Sequence, residues 1–209
     1  MGFTYGVSLN LQDKKCIVVG GGAVAERKIL RLLENKAVVT VVSPQLTENL
    51  QKLQKQFIWI ADTYQESYLE DSFLVIAATN SREVNQEIAQ YCHAHNKLVN
   101  IIDSLEESNF TVNSTVQRGD LLLTISTGGA SPALAKKIRQ QLEEQYGPEY
   151  AVVLDITRTL RAEAMEKISD EEKRRTFLQE LGQTDIEKIL QTETTEEWEK
   201  RVRLCLSSY

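Results

Sequence analysis

Between residues 16 and 113 the chain alternates short runs of Val, Ile and Ala with stretches whose apolar residues recur at helical spacing. The runs at 16–19, Val38–Val42, Phe57–Ile60, Phe73–Ala78 and Leu98–Ile102 have the length and composition of strands. Between them, Ala25, Ile29, Leu32 and Leu33 predict one helix, Leu46, Leu50 and Leu53 a second, and Val84, Ile88, Tyr91 and Cys92 a third. The central runs are apolar throughout rather than alternating with polar residues. A strand buried on both faces reads this way, so the pattern predicts a parallel sheet covered by helices on each side, a doubly wound α/β domain over residues 1–113.

The pattern breaks near Asn113. Thr111–Gln117 and Leu121–Thr127 read as two further strands joined by a tight turn at Arg118-Gly119-Asp120. Ser131 and Pro132 have the character of an N-cap and a first helical residue, and Leu134, Ile138, Gln141 and Leu142 continue one side of that helix. A strand pair with one helix buries little surface alone, so the segment 114–147 is expected to extend the sheet or to dock onto another copy. From Pro148 the pattern is all-helical, with stretches near 149–167, 170–181, 184–191 and 194–206, which sets off a helical domain at 148–209. Ser169 and Glu172 have capping-box spacing at one of these starts.

The chemistry of the first domain starts at Gly20-Gly21-Gly22-Ala23-Val24-Ala25, directly after the first strand. Gly20, Gly22 and Ala25 fit G-x-G-x-x-G/A. Gly20 permits the sharp turn, and Ala25 is small enough for the helix to pack on the strand. Gly22 lacks a Cβ, so a pyrophosphate can reach the free N–H groups of Gly22, Ala23 and Val24 at the positive end of the helix dipole. A glycine turn that merely packs tightly is the alternative.

Ligands of such sheets lie beyond the carboxyl ends of the strands, which makes Ser43, Pro44, Thr79 and Asn80 candidates to border a cofactor. Ser43-Pro44 reads equally as a plain turn, and Thr79-Asn80 as a cap for the helix at 81–94. A carboxylate after the second strand usually grips the adenosine ribose of NAD, but Val42-Ser43-Pro44-Gln45 holds none. It holds no Arg or Lys to welcome a 2′-phosphate either, so NAD is expected over NADP, less strictly than a carboxylate would enforce. Asp103, after Leu98–Ile102, is placed either to act as a general base or to open an Asx turn. His93 and His95 lack matched ligand spacing and read as surface residues.

Composition narrows the class. The net charge of −6 argues against a general nucleic-acid binder. No apolar run of about 18 residues and no charged-then-apolar leader is present, so membrane insertion and secretion are not expected. Cys16, Cys92 and Cys205 form no C-x-x-C and suit reduced thiols in a cytoplasm, with Cys16 a small core hydrophobe. The segment 114–146, with 4 basic and 3 acidic residues, is the net-positive part of the chain. It holds a second glycine turn, Gly128-Gly129-Ala130-Ser131-Pro132, with Arg118, Lys136, Lys137 and Arg139 near it in sequence. Such a turn serves either as an anion site or as a capping turn.

These motifs, in this order, resemble the precorrin-2 dehydrogenases, including the dehydrogenase/ferrochelatase half of siroheme synthase. The matching pieces are Val18–Lys28, Ile76-Ala77-Ala78-Thr79 with Val84-Asn85, Val99–Asp103, Asn109-Phe110, Ser126–Ala135 and, in the tail, Glu171–Phe177. The resemblance implies a Rossmann-like domain followed by a small β-β-α dimerisation segment and a helical domain. It implies a homodimer that oxidises precorrin-2 to sirohydrochlorin with NAD⁺, in siroheme or cobalamin synthesis. Asp103 matches the aspartate tied to catalysis, taking a proton as hydride leaves the macrocycle. Some relatives also insert Fe²⁺ or Co²⁺ into sirohydrochlorin, where the same carboxylate accepts pyrrole protons; no dedicated metal-ligand set is present here.

The substrate carries eight carboxylates, which gives Arg118, Thr127, Gly128, Gly129, Ser131 and Lys137 a role as its binding residues. Thr127 stands where bifunctional relatives have a serine. The chain ends at Tyr209, so the methyltransferase domain of the fused enzymes is expected to be absent and precorrin-2 to come from a separate enzyme. Two other readings stay open: a non-catalytic NAD-sensing module, which would need neither Asp103 nor the 127–132 turn, and a dehydrogenase for another small substrate.

Overall fold

The computed structural model describes residues 4–102 and 104–209. Asp103 therefore lies outside the described residues. The chain divides between Val112 and Asn113 into two compact units.

The first unit contains β1 (Lys15–Val19), α1 (Ala23–Glu34), β2 (Val38–Val42), α2 (Glu48–Lys52), β3 (Ile58–Ile60), β4 (Leu74–Ala77), α3 (Arg82–Ala94) and β5 (Leu98–Ile101). The strands form one parallel sheet in the order β3-β2-β1-β4-β5. This is the doubly wound sheet that the apolar runs predict. Successive residues of β1 point to opposite faces: Cys16 and Val18 join Ile29, Leu50 and Val41 on one side, while Ile17 and Val19 join Ile88, Cys92 and Val99 on the other. Two-sided burial is why the strands carry no polar alternation. Burial pushes the Cys16 thiol up to about 11, so it stays neutral and packs as an apolar group.

Two details differ from expectation. The helix expected across 46–53 is shorter, because Thr47 caps it and accepts from Leu50 N–H, leaving Leu46 to pack from the preceding loop. Glu66–Leu69, between β3 and β4, forms a 3₁₀ turn that seats Leu69 in the core.

β5 lies at the sheet edge, and side chains cover its open backbone. Asn109 accepts from Val99 N–H (2.8 Å) and donates to Lys97 carbonyl (2.8 Å), imitating a neighbouring strand. Ser108 Oγ takes Ile101 N–H (2.9 Å), and Asn100 donates to Phe110 carbonyl (3.2 Å). Satisfying edge groups in this way removes a template for unwanted pairing.

The second unit begins with a hairpin of β6 (Ser114–Arg118) and β7 (Leu121–Ile125), a separate two-stranded antiparallel sheet. It therefore does not extend the parallel sheet, one of the two roles expected for it. Arg118 pairs with Leu121, leaving a two-residue loop whose first residue, Gly119, has φ +58°, the left-handed value such a loop requires. Then come α4 (Pro132–Gln145), α5 (Glu149–Lys167), α6 (Glu171–Gly182), α7 (Ile186–Thr192) and α8 (Thr195–Ser207). Val153, Leu160, Phe177, Leu181, Trp198 and Leu206 form the core of these helices.

Ser131 caps α4 as expected, accepting from Leu134 N–H (3.2 Å). The expected cap of α6 is corrected: Asp170, not Ser169, holds the position and accepts from Lys173 N–H (3.0 Å). A carboxylate there also meets the positive end of the helix dipole, which a serine hydroxyl answers less strongly. The capping box occurs instead at α8, between Thr194 and Glu197.

Asn109→Ala removes both β5 edge bonds and is expected to lower unfolding stability by about 1–3 kcal/mol in a urea titration. Asn109→Asp, which still accepts but cannot donate to Lys97, should lose only part of that. Equal stability of all three proteins would refute the strand-mimic role.

Candidate dinucleotide-binding site

The chain leaves β1 for α1 and β2 on one side, then crosses the sheet to β4 and β5 on the other. At this reversal the loops after β1 and β4 diverge and leave a crevice at the carboxyl edge. A cleft of about 510 Å³ lies there, lined by Val19–Gly22, Val42–Thr47, Asp62–Tyr64, Ala78–Ser81 and Val84.

Main-chain contacts build its floor. Gly20 N–H donates to Val42 carbonyl (2.9 Å), Ala78 N–H to Val19 carbonyl (2.8 Å), and Thr47 N–H to Gly21 carbonyl (3.0 Å). Gly20 has φ +123°, and a Cβ there would stand 2.3 Å from Ala78 carbonyl oxygen. A Cβ at Gly21 would stand 2.1 Å from Gln45 carbonyl oxygen. Gly21, a free position of the fingerprint, is thus as tightly constrained as Gly20. Its contact crosses to the β2–α2 loop, so the pattern itself carries no sign of it.

Gly22 differs. Its φ of −84° suits any residue, and a Cβ there would meet nothing within 4 Å. The fold itself makes no steric demand for glycine at this position, and the space before it is empty. Gly22 is also the N-cap of α1 and offers no side-chain bond, whereas Thr47, Ser81 and Ser131 cap α2, α3 and α4. The start of α1 opens on the cleft with N–H groups that no side chain takes, a ready partner for phosphate. Ala25, fully buried, lets α1 lie close to β1. Ala23 and Val24 form the first turn of α1 beside the cleft, not in its lining.

The remaining cofactor candidates line the cleft, with their polar groups largely engaged. Ser43 is buried; its hydroxyl donates to Gln45 carbonyl (2.7 Å), and its carbonyl accepts from Trp59 Nε1 (2.9 Å). Thr79 Oγ1 donates to Asn85 Oδ1 (2.7 Å), while Asn85 Nδ2 donates back to Thr79 carbonyl (3.2 Å). Asn85, a buried amide in α3, thereby fixes the loop after β4. The cap of α3 is Ser81, so Thr79 and Asn80 are left to border the cleft.

Sequence reading missed Glu26, Asp62 and Tyr64. Glu26 accepts from Thr47 Oγ1 and from Asn49 Nδ2 (2.8 Å), bonds that hold its carboxyl below the usual range and tie α1 to the β2–α2 loop. Asp62 follows β3, and hydrogen bonds from Tyr68 and Thr63 likewise hold its carboxyl low. The Tyr64 hydroxyl is buried without a hydrogen-bond partner among the described residues, and burial pushes its pKa up. No group of His, Cys, Asp and Glu suited to a metal ion occurs among the described residues.

In the second unit, the 127–131 turn spends most of its donors on itself. Gly128 N–H goes to Ser126 Oγ, Ala130 N–H to Thr127 carbonyl and Ser131 N–H to Thr127 Oγ1. Gly128 and Gly129 hold left-handed φ of +59° and +83°. Arg118 donates to Tyr146 and Glu143 carbonyls (2.9 and 3.3 Å), closing the C-terminus of α4, and Arg139 pairs with Glu143. Lys136 and Lys137 are exposed. His93 and His95, also exposed, bond to Glu107 and Tyr91 carbonyls.

Fold and cleft together define a dinucleotide-binding protein of the doubly wound type. The chain belongs to the family described as "Putative NAD(P)-binding", whose model matches residues 7–114, and its cofactor is a nicotinamide dinucleotide. A second model, "Sirohaem biosynthesis protein central", matches residues 118–145. Among curated relatives, the chain is 44% identical over 137 residues to siroheme synthase of Xylella fastidiosa, covering 64% of this chain and 29% of that one. It is 30% identical over 203 residues to siroheme synthase of Mannheimia succiniciproducens, covering 96% of this chain and 43% of that one. The chain thus spans less than half the length of these relatives. A solved structure titled "SirC, precorrin-2 dehydrogenase" superposes with a TM-score of 0.80 at 26% identity, over 99% of this chain and 100% of that one.

Gly22→Ser separates a ligand site from a tight turn. The hydroxyl would cap α1, so thermal stability should hold or rise by a few tenths of a kcal/mol, while dinucleotide affinity measured by calorimetry should fall about tenfold or more. Unchanged affinity would leave Gly22 without a ligand role. Gly20→Ala should instead destabilise the fold by several kcal/mol through the clash and the left-handed φ.

Proposed function

We propose that this chain is an NAD⁺-dependent precorrin-2 dehydrogenase: precorrin-2 and NAD⁺ give sirohydrochlorin, NADH and a proton. The likeness to SirC over the whole length of both chains carries this reading. Bound NAD⁺ supplies the hydride acceptor. The chain's part is to seat it with the Gly20–Gly22 turn and the open start of α1, and to hold its adenosine side against the Val42–Thr47 and Asp62–Tyr64 loops. NAD is preferred to NADP. Among the described residues that line the cleft there is no Lys, Arg or His to meet a 2′-phosphate, and Asp62 is the acidic one.

The carboxylate of Asp103 takes the proton released as hydride leaves the macrocycle, a role that rests on the family resemblance. Lys137 and the 127–131 turn receive substrate carboxylates, Gly129 N–H being a donor that the turn does not use. Arg118 joins them, held beside the end of α4 by bonds to the carbonyls of Gln117, Glu143 and Tyr146. A homodimer fits a hairpin that pairs with no other strand and carries exposed Leu122, with Leu134 exposed on α4. The free cysteines suit a reducing cytoplasm, and among the described residues no helix is long and apolar enough to cross a membrane.

Incubation with precorrin-2 and NAD⁺ should yield sirohydrochlorin and NADH, followed by absorbance. Asp103→Ala should lose at least about a hundredfold in kcat while binding NAD⁺ normally; undiminished turnover would sink its role. Lys137→Glu should raise the KM for precorrin-2 and leave NAD⁺ affinity alone, and an unchanged KM would remove Lys137 from the substrate site.

A further inference from the structure

The ribose carboxylate expected after β2 is missing from the sequence, yet the structure brings one to the same place from the next strand. β2 and β3 pair with Val42 opposite Ile60, so residues after the two strands emerge side by side. Ser43 N–H and Asp62 N–H both donate to the Ile60 carbonyl (3.1 and 2.9 Å). That shared acceptor puts Asp62 beside the end of β2, and Asp62 lines the cleft together with Ser43 and Pro44.

The carboxylate is held in one orientation. Oδ2 accepts from Tyr68 hydroxyl (2.6 Å) and Gln65 Nε2 (2.9 Å), and Oδ1 accepts from Thr63 N–H (2.7 Å). Each bond favours the ionised form, so the negative charge is fixed at neutral pH. Oδ1 also accepts a long bond from Thr63 Oγ1 (3.4 Å), which an incoming hydroxyl can replace because the threonine hydroxyl is free to turn elsewhere.

We propose that Asp62 is the specificity-determining residue of the cofactor site, accepting a hydrogen bond from the adenosine ribose and repelling a 2′-phosphate. It does from β3 what a carboxylate at the end of β2 does in other NAD-binding sheets. The inference rests on the reading of this cleft as an NAD⁺ site and adds the residue that makes the choice. A phosphate brought against a fixed carboxylate meets like-charge repulsion, with no basic side chain among the described lining residues to offset it.

Calorimetric titration of the full chain with NAD⁺ and with NADP⁺ tests this, on the wild type and on Asp62→Asn, each checked for folding by circular dichroism. The wild type should prefer NAD⁺ by about tenfold or more. Asp62→Asn should narrow that preference to within about threefold, chiefly by binding NADP⁺ more tightly. If Asp62 were only a loop anchor, the variant would weaken both ligands alike and keep the ratio, which would overturn the inference. A wild type that binds NAD⁺ without preferring it would overturn both the inference and the NAD-over-NADP reading. A wild type that binds neither would remove the cleft as a cofactor site altogether. Ionic strength gives a check that needs no variant: raising salt from about 0.05 to 0.5 M screens the repulsion and should narrow the wild-type preference. A preference independent of salt would exclude the electrostatic role.

Discussion

The crevice depends on how closely three backbones approach one another at the carboxyl ends of β1, β2 and β4. Gly20 N–H reaches Val42 carbonyl, Ala78 N–H reaches Val19 carbonyl, and a Cβ at Gly20 or Gly21 would drive into Ala78 or Gln45 carbonyl oxygen. The nearest atoms at this junction are backbone carbonyls, so its shape is set chiefly by peptide geometry. α1 is aimed by that junction, and the loops after β2 and β4 are hung from it. Glu26, Thr47, Asn49 and Asn85 then lock those loops with polar bonds that would have little strength on a mobile frame.

This separates glycines that the fold needs from one that it does not. Gly20 and Gly21 are demanded by neighbours within the chain. Gly22 sits in an ordinary conformation with empty space before it, and its lack of a side chain also leaves the helix start open. Packing accounts for the first two and not for the third. The same logic applies to polar residues: Ser43 and Thr79 line the cleft yet spend their hydroxyls on its walls, while Asp62 brings a fixed negative charge to the lining.

What could be read from the sequence was whatever depends on local spacing. The apolar runs placed the strands, because two-sided burial removes polar alternation. The Ser131-Pro132 start of α4 and the Gly119 loop were also legible, since caps and tight turns are decided within a few residues. What could not be read depends on register between distant segments. Asp62 reaches the end of β2 only because Val42 faces Ile60. The Asn109 strand mimic requires knowing that β5 lies at an edge, and Gly21 matters only because of Gln45. Arg118 was singled out for its charge, whereas its bonds to the carbonyls of Gln117, Glu143 and Tyr146 again depend on segments distant in sequence. Ser169 was a near miss of another kind, outcompeted by the adjacent carboxylate of Asp170.

The uncapped start of α1 has a consequence for the life of the protein in the cell. A helix capped by Gly22 forgoes a few tenths of a kcal/mol that a Ser or Asp would supply. A dinucleotide that binds only the folded chain adds stability by mass action, about 2.7 kcal/mol when its concentration is a hundred times its Kd. Persistence of the first unit is thereby coupled to the nicotinamide pool. Chains made while that pool is depleted unfold more often, and proteases remove the open form in proportion to its population. Occupancy of the cleft thus lengthens the life of the fold that forms it.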